Sequence, residues 1–238
     1  MPSSERAVGV GFTEAVIVAS TATIPIVGTG MSDVTIPQLV GNVARPQGNV
    51  TGLSSVPTGN AGEELGILGD AIPSARRIGV LLWAPAPNRE DDRRVLLSGA
   101  ATLGIELVWV EVSVAADFAP AYATLTRERV DAVLLASGVL FTTERQQLIE
   151  LAAAARLPTI YSAQQAVESG GLISHGVDFR SNSRRATTYV VAILRGAKPS
   201  DLPVQSPSFV LAINLKTARD LGLTLPAAIL ARADVVIE

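Results

Sequence analysis

The chain has 238 residues, of which 48% are hydrophobic and 17% are charged, and its formal net charge is −3. This apolar content excludes a disordered chain, which buries too little apolar surface to offset the ordering of its backbone. The slightly negative charge, with no block of Lys and Arg, argues against a nucleic-acid partner, because such a partner needs a basic face. With no Cys, the chain has no disulfides, thiol catalysis or Cys-ligated metal.

Short apolar runs and helical periodicities alternate along most of the chain, at intervals of roughly 10–15 residues. This alternation predicts a parallel β-sheet with helices on both faces, an α/β fold. The predicted elements up to the last third are a strand at 23–27, a helix at 65–71, a strand at 78–83, a helix from Asn88 to Gly104, a strand at 105–112, a helix at 116–129, a strand at 131–136, a helix at 142–156, a strand at 158–161, a short helix at 163–169 and a strand at 171–174.

The last third continues the pattern. Residues 179–194 predict a helix, 197–207 a connection that contains Pro, 209–213 a strand and 215–221 a helix. No run approaches the ~18 apolar residues of a membrane span, so no membrane insertion is expected. The segment after Met1 is only mildly apolar and Glu14 interrupts it, so it is a poor signal peptide.

Candidate binding residues follow from the predicted strands, because open α/β sheets bind ligands beyond the carboxyl ends of their strands. The loops there carry small hydroxyls, amides and a few carboxylates, which suit a polar ligand held by hydrogen bonds. Each hydroxyl has an alternative role as a helix cap or turn residue, and Tyr161 has one as a packed core residue. The candidates are Thr29, Asp33, Ser54, Ser55, Asn88, Ser137, Gly138, Tyr161, Ser162 and Asp178.

The residues indicate no reaction. His175 is the only histidine, and one His without Cys makes no ordinary zinc site. The sequence has neither a Gly-x-Ser-x-Gly elbow nor a phosphate-binding Walker motif. We therefore predict no catalytic residue, no metal and no cofactor.

Four separated segments carry a family resemblance: 42–53 (NVARPQGNVTGL), 168–174 (ESGGLIS), 213–218 (INLKTA) and 230–234 (LARAD). Together they resemble the substrate-binding proteins of ABC transporters, in particular the group similar to tryptophan- and tyrosine-binding proteins. The resemblance runs in one register from about Thr23 to Glu238. Asp33 matches an Asp of that family, where it could pair with a ligand ammonium or cap the next helix.

The resemblance implies a periplasmic-binding-protein fold of type I, with two doubly wound parallel-sheet lobes. The first lobe would comprise residues 1–52 and about 178–202, and the second 53–177 and about 203–238. Relatives carry about three more strand–helix units before the segment at 23–27, so the first lobe is expected to be incomplete and the chain N-terminally truncated. Asp33 and Tyr161 would then face one cleft from opposite lobes.

The function implied is capture of a small polar ligand, such as an amino acid, for delivery to the permease subunits of an ABC transporter in the periplasm. The open alternatives are an intracellular ligand-sensing module of the same fold and an α/β enzyme. The family usually has Asn at the positions of Ala84 and Pro87 and often Asp at Gly138. These departures remove polar groups from the second-lobe rim, so either the ligand differs from the usual ones or binding has weakened.

Overall fold

The computed structural model describes residues 23–32, 36–56, 60–136 and 138–238. Its strands are β1 Ile26–Ser32, β2 Val50–Val56, β3 Arg77–Trp83, β4 Glu106–Val112, β5 Ala132–Leu135, β6 Thr159–Tyr161, β7 Ile173–Val177, β8 Phe209–Asn214 and β9 Val235–Ile237. Its helices are α1 Ile36–Val40, α2 Asn60–Ala71, α3 Arg89–Leu103, α4 Phe118–Arg127, α5 Val139–Thr143, α6 Arg145–Ala155, α7 Gln164–Glu168, α8 Phe179–Leu194, α9 Leu215–Asp220 and α10 Ala227–Arg232. Among the described helices, none combines the length and apolarity that crossing a membrane requires.

The chain forms two compact units. Unit 1 takes the described residues of Met1–Pro57 and Val177–Ser208, and unit 2 those of Thr58–Gly176 and Phe209–Glu238. The borders differ by a few residues from the expected crossings near residues 52 and 203. Strand β2 continues to Val56, and Gln205 donates its amide to the carbonyl of Gly52, so both segments belong to unit 1.

Unit 2 is built on a seven-stranded sheet in the order β4-β3-β5-β6-β7-β8-β9. The pairs from β4 to β7 are parallel, as the alternating pattern predicts. The amide of Asn214, at the end of β8, donates to the carbonyl of Leu172, just before β7. Strand β8 therefore runs against β7, and β9 follows β8 in parallel.

Both faces of this sheet are buried. In β5, Ala132 and Leu134 pack into one apolar cluster, with helices α2 and α3, while Val133 and Leu135 pack into a second cluster, with α4 and α6. Successive side chains of a strand point to opposite faces, so a continuous apolar run is what a doubly covered strand requires. This is why the runs at β3 and β5 were recognisable in the sequence.

Unit 1 contains a two-stranded parallel sheet of β1 and β2 among its described residues. Helix α8 packs on it through Ala186, Tyr189 and Ile193, which contact Val27 and Leu53. The Tyr189 hydroxyl donates to the carbonyl of Pro203 at 2.7 Å. Helix α8 thus ties the second segment of the unit to its sheet.

Some predicted boundaries are wrong. Strand β1 does not end at Val27 but continues to Ser32, paired with β2 and with a register shift between Gly28 and Met31. The helix predicted at 142–156 is two helices, which meet at Glu144, and the first begins at Val139. Helices α1 and α10 and strands β2 and β9 were not among the predicted elements; α1, α10 and β9 are too short for a clear period.

Gly52 fixes the close approach of β1 and β2. Its φ is 139°, and a Cβ on it would lie 2.0 Å from the carbonyl oxygen of Gly28. Gly48 has φ 90° but open space around the same position. Both glycines have a left-handed backbone, but only at Gly52 would a side chain clash with the neighbouring strand. Substituting each one therefore distinguishes the cost of the backbone conformation from the cost of the clash.

We expect Gly52→Ala to lower the opening free energy of β2 by roughly 3 kcal/mol or more, and Gly48→Ala by only about 1–2 kcal/mol, the cost of a left-handed L-residue. Hydrogen–deuterium exchange of the peptide that covers residues 50–56 measures both. Equal protection losses in the two variants would contradict the role given to the Gly28 contact.

Candidate functional site

In unit 2, the carboxyl ends of β3, β5 and β6 lie side by side along one edge of the sheet. Asn88 follows β3, Gly138 follows β5 and Ser162 follows β6, and all three are half-buried. A Cβ on Gly138 would lie 3.2 Å from the Cβ of Trp83, so the loop after β5 packs on the end of β3. Three predicted candidates are thus brought to one edge; Ser137, between β5 and Gly138, lies outside the described residues.

Asn88 does not cap α3 as predicted. It occupies the N-cap position, but its side chain makes no cap hydrogen bond and instead donates to the carboxylate of Asp92 at 2.8 Å. The acids in the first turn of α3 still complement the helix dipole. The amide of Asn88 is therefore engaged below the edge by a buried acid.

Tyr161 is only 3% exposed and belongs to the apolar cluster between the sheet and α4 and α6. Its ring lies beside Gly171, where a Cβ would come within 2.8 Å of it. Burial raises the pKa of its hydroxyl well above the ordinary value, and neighbouring Tyr122 adds to this. This position matches the core alternative given for Tyr161, and its partner in the cleft prediction, Asp33, lies outside the described residues.

Unit 1 places its candidates differently from the prediction. Thr29 lies within β1, and Ser54 and Ser55 lie within β2 rather than in loops, because both strands are longer than expected. Ser54 is 4% exposed. Asp178 caps α8, accepting a hydrogen bond from the amide of Ser181 at 2.8 Å.

Asn182 in unit 1 was missed. It is 1% exposed on α8 and donates its amide to the carbonyl of Ser54 at 3.3 Å. Its Oδ1 has no hydrogen-bond partner among the described residues. An Asn on the buried face of an amphipathic helix was the available signal, since a buried amide normally needs partners.

A buried acid cluster below the edge of unit 2 was also missed. Glu64 is fully buried and accepts from the Asn60 amide at 2.9 Å, while Asp92 is 4% exposed and accepts from Asn88. The two pairs share one signal in the sequence: an Asn four residues before an acid at the start of a helix. Helices α2 and α3 bring the pairs near each other, and Gly62 allows this, since a Cβ there would lie 2.6 Å from a Val95 methyl.

Burial makes both carboxyls weak acids. Desolvation raises the pKa of Glu64 well above its usual range, and the nearby Asp92 raises it further. Desolvation also raises the pKa of Asp92 to about 6, against a smaller opposing effect of the Asn88 hydrogen bond. Oε2 of Glu64 has no partner among the described residues. Glu64 therefore retains its proton at pH values where exposed Glu residues are ionised.

His175 is a further buried residue of unit 2 and lies on β7. It is 7% exposed, its ring stacks on Phe209 at 5.0 Å between centroids, and its carbonyl accepts from the Asn60 amide at 3.5 Å. Burial lowers its pKa, although Glu63 and Asp234 oppose this effect. The described residues contain no group of three or more His, Cys, Asp or Glu arranged to hold a metal ion.

The comparisons with known proteins establish the class of the chain. A structure of a conserved domain protein from Vibrio cholerae O1 biovar El Tor is 31% identical, with a TM-score of 0.82 over 96% of this chain and 77% of that one. A structure of the ABC domain in complex with L-Trp from Streptococcus pneumoniae is 26% identical, with a TM-score of 0.82 over 98% of this chain and 79% of that one. This similarity confirms the predicted fold of periplasmic binding proteins.

The sequence comparisons then give the family. Residues 4–237 match the family model for ABC transporter substrate binding protein. The tyrosine-binding protein of Clostridioides difficile (strain R20291) is 25% identical over 185 residues, which cover 78% of this chain and 53% of that protein. The chain belongs to the family of ABC transporter substrate-binding proteins, as the four segments indicated, and it spans about half the length of this curated relative.

The raised pKa values of the two buried acids predict the direction in which the stability of the protein changes with pH. Their pKa values are raised in the fold, so the unfolded chain releases these protons at lower pH. Their contribution to stability is fully present below about pH 4 and is lost as the pH rises through about 6 and beyond. We expect Asp92→Asn to be more stable than the parent at pH 8, by up to roughly 3 kcal/mol, with a difference that shrinks toward pH 4.

Urea unfolding at a series of pH values, followed by the fluorescence of Trp83 and Trp109 in unit 2, measures this difference. Asp220→Asn is the control, because it makes the same change on an exposed side chain of the same unit. A destabilised Asp92→Asn variant, or a gain that does not change with pH, would contradict the account of the cluster.

Proposed function

We propose that this protein is the solute-binding component of an ABC transporter, that it captures a small amino-acid-like molecule, and that it delivers it to permease subunits outside the cytoplasm. The observation that carries the proposal is the carboxyl edge of unit 2, where Asn88, Gly138 and Ser162 follow the neighbouring strands β3, β5 and β6. Ligands of open α/β sheets bind at this edge.

The relatives support the class of ligand. One is named for tyrosine, and another was solved with L-Trp. A zwitterion of that kind needs hydrogen-bond partners for its charged ends and apolar contacts for its side chain. At this edge of unit 2 the two nearby acids, Glu64 and Asp92, are buried, so we propose that the edge contacts the ligand through neutral groups.

The structure also suggests how the edge keeps its shape. A Cβ on Gly176 would lie 2.2 Å from the carbonyl oxygen of Ser162, so the end of β7 packs directly against the loop after β6. This contact holds the backbone at Ser162 in place. The hydroxyl of Ser162 is then positioned by the sheet itself rather than by a mobile loop.

We expect the protein to bind L-tryptophan or L-tyrosine with saturation, and Ser162→Ala to weaken binding by roughly threefold to tenfold, the loss of one hydrogen bond. Isothermal titration calorimetry measures the affinity, and the rise in melting temperature with added amino acid checks it independently. Ser98→Ala, at an exposed position of α3, is the matched control and should bind as the parent does. An unchanged affinity in Ser162→Ala would remove this edge from the proposed site.

We further propose that the protein is not an enzyme. His175 is buried, stacks on Phe209 and has a lowered pKa, so it is poorly placed to exchange protons with a ligand. We expect no turnover of a bound amino acid, measured by mass spectrometry after long incubation, in the parent or in His175→Ala. Conversion by the parent that His175→Ala abolishes would overturn this proposal.

A further inference from the structure

A cavity of about 360 Å³ lies within unit 2, between the end of α6, the start of β6, the loop before β7 and helix α9. Thr159 begins β6 and Leu172 immediately precedes β7, so the cavity lies at the amino edge of the sheet. This is the edge opposite the one that carries Gly138 and Ser162. Its volume is within the range of small-molecule sites, roughly 300–1,000 Å³.

The inner wall of the cavity is apolar. Ile149 of α6, Leu172 and Leu221 line it, together with the ring of Tyr161. Gly171 allows the backbone to pass beside that ring, since a Cβ would lie 2.8 Å from the ring and 2.9 Å from the carbonyl of Ala166. Because Gly171 has no side chain, the ring of Tyr161 and the backbone form the inner end of the cavity.

The rim of the cavity is charged. Arg156, Lys216 and Asp220 are exposed and line it. Arg156 donates to the main-chain carbonyl of Asp220 at 3.3 Å, which holds its guanidinium across the rim. Among the described residues, no carboxylate lies within ion-pair distance of either cation, so the rim carries two unpaired positive charges against one negative charge.

Arg156 is also in a strained conformation. It ends α6 with φ 52°, a left-handed backbone that usually belongs to Gly or Asn. An L-residue there costs about 1–2 kcal/mol.

We propose that this cavity is a second binding site, for a small molecule with an apolar body and a single carboxylate. The apolar wall would take the body, and Arg156 and Lys216 would hold the carboxylate. The single net positive charge of the rim suits a monoanion, because Asp220 would repel the second charge of a phosphate dianion. The site is separate from the edge proposed for the transported solute and is independent of that function.

The probe is 3-phenylpropionate, with 3-phenylpropionamide as its neutral counterpart, titrated into the full chain and followed by backbone amide signals in nuclear magnetic resonance. We expect saturable shifts confined to residues 149–172 and 216–221, with a dissociation constant of about 1 mM or tighter. The amide should bind at least about tenfold more weakly, because it lacks the charge-assisted contacts.

Three variants test the charges of the rim, and their expected effects on the affinity for the probe are opposite in sign. Arg156→Ala and Lys216→Ala should each weaken binding by about tenfold, whereas Asp220→Asn should strengthen it by a few-fold, because it removes the repelling carboxylate. Arg129→Ala is the matched control: Arg129 is an exposed arginine with φ 54°, at the end of α4 and outside the cavity. It should bind the probe as the parent does.

The proposal is overturned by shifts that do not saturate, by shifts centred on the carboxyl edge, by equal binding of acid and amide, or by loss of affinity in Arg129→Ala equal to that in Arg156→Ala. If L-tryptophan does not bind at all, the transport proposal fails, while the same shifts and variants still decide the cavity.

Discussion

A sheet that is buried on both faces leaves only the two ends of its strands available for binding, and most of unit 2 follows from this constraint. Strands β3 and β5 alternate their side chains between two apolar clusters, so neither face can hold a polar ligand without disrupting the core. Polar groups are therefore found where the strands stop. The carboxyl ends carry Gly138 and Ser162, and the amino ends border the cavity with the charged rim.

The acid cluster shows how a polar group is accommodated just below such an edge. Among the described residues, neither Glu64 nor Asp92 forms an ion pair; each is held by one amide, from Asn60 and Asn88. A neutral donor satisfies a protonated or partly ionised carboxyl at a smaller desolvation cost than a buried ion pair. The arrangement keeps both acids below the edge, so neither is available there as an exposed carboxylate.

Much of the fold could be predicted from the sequence, because its central elements are long and periodic. Helix α8 matches its predicted bounds at 179–194, and the strand predicted at 78–83 differs from β3 by one residue. One error lies where pairing extends a strand beyond its apolar run: the strand predicted to end at Val27 continues to Ser32 as β1, paired with β2. Short elements such as β9 carry too few residues for any period to be read.

The site was less predictable for a different reason. The ends of β3, β5 and β6 were predicted to within one residue, so Asn88, Gly138 and Ser162 follow strand ends as expected. The partner of each side chain could not, because it depends on how neighbouring helices pack. Asn88 was expected to cap its helix and instead holds Asp92, and Tyr161 turns back beside Gly171. The spacing of four residues between Asn and acid, which repeats at α2 and α3, was visible in the sequence. Its role could not be predicted, because it depends on how the two helices pack.

The segment of the other unit that lies between β7 and β8 has a consequence for synthesis of the chain. Strands β7 and β8 are neighbours in one sheet, yet residues 178–208 between them belong to the other unit. A ribosome must therefore release the whole of α8 before unit 2 can close its sheet, and until then the free side of β7 exposes unpaired amides. Such a discontinuous domain folds late and has many contacts between distant residues. During that interval the nascent chain depends on chaperones or on rapid elongation to avoid pairing with another copy of itself.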